Sequence, residues 1–115
     1  MIITRNETAL ILKSSLGALI RKREPEIGSA LELCAQNQDG KTRVIAKAVV
    51  KTVRRVSVET FEKNPELLTK HGFRSLNGLK RNVIDLYGES LWQDFQNRSL
   101  DLYRLCIDYS LTNQD

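Results

Sequence analysis

Five cations stand at intervals suited to an anion. Arg43, Lys47, Lys51 and Arg55 recur every fourth residue, Arg54 falls beside them, and nothing acidic interrupts the run from 41 to 56. Such a stripe could neutralise several phosphates of a nucleic acid, and binding of that kind falls steeply with salt. It fits an acidic patch on another protein equally well. No aromatic, Asn or Gln is interleaved for stacking or base contacts, and residues 54–61 match a helix-turn-helix poorly, with Arg54 and Arg55 where the turn favours Gly.

The remaining inventory for catalysis is thin. His71 is the only histidine and sits beside Gly72, where the expected role is a charge favouring a helix end. Cys34 and Cys106 are far apart and, with one His, make neither a zinc pattern nor a disulfide framework. They are expected to be buried thiols. No phosphate-loop, dinucleotide or HExxH motif occurs. Asp85 and Glu89, four apart, and Asp101 and Asp108, seven apart, read as solvated carboxylates. The chain is therefore expected to be no enzyme and to carry no metal or cofactor.

To gather the five cations, residues 41–56 must be helical. On a strict strand Arg43, Ile45, Lys47, Val49, Lys51, Val53 and Arg55 would share a face and mix charge with hydrophobe. On a helix they separate, with Ile45, Val49, Val53 and Val56 opposite the cations. Helices are read around this one. Thr4 and Glu7 form a capping box, and Ala9, Leu12, Leu16 and Leu19 continue a first helix, with Arg21, Lys22 and Arg23 in its last turn. Pro25 stops it, and Ile27, Ala30, Leu31 and Cys34 mark a second. After the basic helix, Asn64 and Pro65 start a short helix that closes on Gly72. Ser75 opens another, interrupted at Gly88.

Residues 90–111 read as the longest helix. Trp92, Phe95, Ser99, Leu102, Cys106 and Tyr109 form a core stripe. Leu100, Ile107 and Leu111 form a second stripe, which a small domain would struggle to bury. That second stripe is expected to contact a partner helix or another copy of the chain.

The 115 residues are 41% hydrophobic and 28% charged, with net charge +4, which is globular rather than disordered. No run approaches the ~20 apolar residues of a membrane span, and the start lacks the features of a signal peptide, so the cytoplasm is the expected compartment. These readings add up to an all-α protein, an irregular bundle of five or six helices in a single domain over 1–115. The first functional expectation is a non-enzymatic regulatory or interaction protein acting through protein–protein contacts. The alternative is a nucleic-acid-binding protein that uses the basic helix.

Overall fold

The computed structural model describes residues 1–14 and 16–112. The chain runs α1 (Arg5–Leu12), β1 (Ala18–Arg21), β2 (Ala30–Gln36), β3 (Thr42–Val56), α2 (Val58–Lys63), α3 (Glu66–Lys70), α4 (Leu76–Tyr87), α5 (Glu89–Gln96) and β4 (Leu102–Leu111). Among the described residues the strands form one antiparallel sheet, in the order β1-β4-β3-β2. The architecture is mixed α/β, which overturns the all-α bundle. No helix among the described residues is long and apolar enough to cross a membrane.

The basic segment accounts for the largest correction. It is the strand β3, as its Val, Ile and Thr content favours. The objection that a strand would mix charge with hydrophobe assumes an unbroken two-residue period. Two register shifts break that period. One leaves Ile45 as an extra residue opposite Leu33 and Cys34, and the other leaves Lys51 extra between the pairs Val50–Ile107 and Thr52–Cys106. Each extra residue offsets the alternation by one. Ala46, Ala48 and Val50 are therefore buried while Lys47 and Val49 between them are exposed.

The last predicted helix is also two elements. It ends at Gln96, the chain turns through Arg98 at φ 66, and β4 begins at Leu102. The two predicted apolar stripes are divided between these elements, with Trp92 and Phe95 on α5, and Tyr109 of the first stripe on the same face of β4 as Ile107 of the second. Leu105 and Ile107 enter one core with Leu19, Leu33, Ala46 and Ala48, beneath Ile11 of α1. Leu102 enters a second core with Ile20, Val56, Phe61, Phe73, Leu79, Val83, Trp92 and Phe95, on the side of the other helices.

Some of the predicted helix signals are realised, but α1 stops at Leu12 with Leu19 and Arg21 in β1, and Ala30, Leu31 and Cys34 of the predicted second helix lie in β2. Thr4 and Glu7 cap α1 reciprocally, α3 ends before Gly72, and α4 and α5 meet at Gly88. Gly72 has φ +78, and a Cβ there would lie 2.3 Å from Leu10 Cδ1. Its left-handed turn thus lets the end of α3 pack directly on α1.

Candidate anion-binding groove

Glu7 does more than cap its helix. Arg21 of β1 donates to both its carboxylate oxygens, at 2.8 and 2.7 Å, and Asn82 of α4 donates at 3.0 Å. Thr4 donates its hydroxyl to Asn82 Oδ1 at 2.7 Å. All four residues are buried. Burial by itself would raise the Glu7 carboxyl. The Arg21 hydrogen bonds and charge, the Thr4 amide and Asn82 outweigh it and hold the group below its usual range. The network fixes α1 and α4 against the edge of the sheet, and a series of depressions runs along that seam.

The first depression, about 660 Å³, lies between α1 and the start of α4 and is lined by Arg5, Arg74 and Arg81 together with Asn6, Asn77 and Asp85. It shares Arg5 and Asp85 with a second, to which β3 contributes Arg43. That one shares Ile2, Gln36, Asp85 and Leu86 with a third, lined by Lys22, Arg23, Glu24 and Tyr87. Lys22 leads into a fourth, with Arg55, Arg98, Asp101 and Tyr103. Together they make a groove with eight exposed cations (Arg5, Lys22, Arg23, Arg43, Arg55, Arg74, Arg81 and Arg98) and three carboxylates (Glu24, Asp85 and Asp101). Arg55 pairs with Asp101 at 3.4 Å and Arg98 with Glu59 at 2.6 Å. In both pairs the arginine is exposed and the carboxylate half-buried, and surface pairs of this kind contribute little.

The five predicted cations do not form one surface. Directly paired residues share a sheet face. Arg43 lies opposite Ala35 and Arg55 opposite Tyr103, both on the α1 side, and both cations reach the groove. Lys47 lies opposite Ser110 and Arg54 opposite Arg104, on the other side. Lys51 pairs with Asp108 at 2.9 Å. The remaining groove cations were missed because they stand singly or in pairs on different elements, with no common spacing. Arg21, Lys22 and Arg23 read as helix-end charges, although Arg21 is the buried partner of Glu7.

Nor do Leu100, Ile107 and Leu111 meet. Ile107 is in the α1-side core, Leu100 packs half-buried against the other core, and Leu111 is exposed at the end of β4. The three therefore do not form one exposed stripe.

His71 follows α3 as expected but is 1% exposed and not a helix-end charge. Its Nδ1 lies 3.2 Å from the Ala18 carbonyl, and Arg104 Nε donates to its Nε2 at 2.9 Å. The first contact needs a proton on Nδ1 and the second needs none on Nε2, so the ring is a neutral Nδ1–H tautomer. Burial, and then the Arg104 charge, push its pKa from 6.5 to about 4. Arg104 also donates to Cys106 Sγ at 3.1 Å. Cys34 and Cys106 are free and half-buried, and both lie on strands. Among the described residues no group of three His, Cys, Asp or Glu side chains could hold a metal ion.

No protein-family model matches the chain, and no curated protein matches it. Among solved structures it is similar to two mutant forms of the ZmASCH protein from Zymomonas mobilis. The first gives a TM-score of 0.58 at 12% identity, over 98% of this chain and 70% of the other. The second gives 0.54 at 12% identity, over 94% and 65%. The likeness is one of fold.

Proposed function

We propose that the protein binds nucleic acid, without catalysing a reaction, by laying the phosphate backbone along the groove. The observation that carries this reading is eight exposed cations against three carboxylates along four depressions that share lining residues. The trough on the opposite sheet face makes the contrast, since its 730 Å³ is lined by Lys47 with Glu32 and Asp108. Tyr87 and Tyr103 stand in the groove wall, where unstacked bases could lie on them. Retention of a short oligonucleotide across a salt series tests the reading. Binding at low salt that falls linearly on a log–log plot supports it, with a slope of about −0.7 to −0.9 per phosphate neutralised. No retention at 20–50 mM salt, roughly the low end of the range in which such contacts are strong, overturns it.

A protein partner is the second reading. It is favoured by the same trough, where Val49 is 46% exposed beside Ala30 and Leu31. Sedimentation equilibrium checks the self-associating form of it.

A further inference from the structure

From the crowding of guanidinium groups at one end of the groove, we infer that the cleft between α1 and α4 receives a terminal phosphate monoester of the bound strand. The inference rests on the nucleic-acid reading and adds which part of the ligand sits there. Arg5, Arg74 and Arg81 line this one cleft. None of the three makes an ion pair or a side-chain hydrogen bond among the described residues, whereas Arg55 and Arg98 further along the groove each hold a carboxylate. One exposed carboxylate, Asp85, stands on the wall shared with the next depression. The other polar lining is neutral, with Asn6, Asn77 and Ser75 able to donate.

Three cations facing one carboxylate exceed what a single internal phosphodiester, with one negative charge, would balance. A terminal monoester carries about −1.5 to −2 at neutral pH and offers three acceptor oxygens. Guanidinium forks suit those oxygens bidentately, which a point charge does not. The position agrees, because the cleft is the last of the four depressions and shares Arg5 and Asp85 with its neighbour.

The probes are three oligonucleotides of the same sequence, with a 5′-phosphate, a 3′-phosphate or neither, measured by fluorescence anisotropy at one salt concentration. Inorganic phosphate serves as a competitor. The expected result is that one phosphorylated form binds roughly tenfold more tightly than the form with neither, the size of one added charge-assisted contact. The readout for variants is the ratio between those two affinities. It should collapse toward one in Arg74→Gln/Arg81→Gln and, should that protein not fold by circular dichroism, in Arg5→Gln. Inorganic phosphate should likewise erase the ratio before it displaces the strand. Equal binding of the three probes overturns the inference and leaves the nucleic-acid reading standing. A preference that survives in the variants also overturns it, by placing the phosphate elsewhere. Failure of every probe to bind overturns the parent reading.

Discussion

His71 shows how a residue type can mislead when its surroundings are unknown. Beside a glycine at a helix end it reads as a cation, yet it lies parallel to and offset from Phe73, edge-on to Phe61, and hydrogen-bonded through both nitrogens. Protonation would add a buried charge and set a second donor against Arg104. Its folded pKa of about 4 lies below the unfolded 6.5. The neutral ring's contribution is therefore complete above pH 6.5 and is lost as pH falls from there to 4. At 1.36 kcal/mol per unit, that loss approaches about 3 kcal/mol at full protonation. Urea unfolding at pH 7, 5.5 and 4 should show it, and His71→Gln should flatten this part of the curve. Equal slopes for the two proteins would put the acid sensitivity elsewhere. Glu7 cannot supply the same window, because its lowered carboxyl sheds stability only as pH falls below 4.5 toward its depressed folded value. Trp92, also read from the sequence as core, is 2% exposed, but its buried Nε1 finds no hydrogen-bond partner among the described residues.

At the scale of elements, β3 is held in phase by its offsets. Lys51 is the extra residue that lets Ala46 and Ala48 face one core before the offset while Val56 reaches the other after it. Lys51→Ala removes only an exposed ion pair with Asp108 and should cost less than about 1 kcal/mol. Deleting Lys51 instead removes the offset. Residues 52–56 would then pair with β4 one place out and exchange their faces, at a cost of roughly 3 kcal/mol or more, the upper range for single changes. Thermal unfolding of the two variants distinguishes these effects, and equal stability of both would show that the offset is dispensable. The same feature explains what was legible in the sequence. Thr4 with Glu7, a signal spanning four residues, was sufficient because capping is local, whereas Asn64 ends α2 and donates its side chain to the Thr60 carbonyl instead of capping the short helix after it. Trp92, Phe95 and Leu102 were placed in the core correctly although the helix linking them is not continuous. The strand was missed because a sequence shows alternation only where it is unbroken, and what offsets it here is pairing with β2 and β4. The groove was illegible for a related reason. Of its cations only Arg43 and Arg55 belong to the visible stripe, and the fold brings in the others from α1, α4 and the loops around β1, α4 and β4.

For the whole molecule, net charge and charge placement make different predictions. At +4 the protein should attract any polyanion weakly by its overall field, and that attraction would not depend on which cations were removed. A groove makes it depend on position. Arg43→Gln/Arg55→Gln and Lys47→Gln/Lys51→Gln each lower the formal charge by two, from +4 to +2. All four side chains are exposed, so both proteins should fold. The first pair lies along the groove, whereas Lys47 lines the trough on the opposite face and Lys51 holds Asp108 there. Oligonucleotide binding by the Arg43/Arg55 variant should lose up to about 1.4–1.8 units from its salt slope, near two phosphate contacts. The Lys47/Lys51 variant should keep most of its slope and shift only as a lowered field requires. Identical losses in the two variants would reduce the groove to a share of a diffuse positive surface. A larger loss in the Lys47/Lys51 variant would move the nucleic acid onto the opposite face of the sheet, where β2, β3 and β4 rather than the α1–α4 seam would set its path.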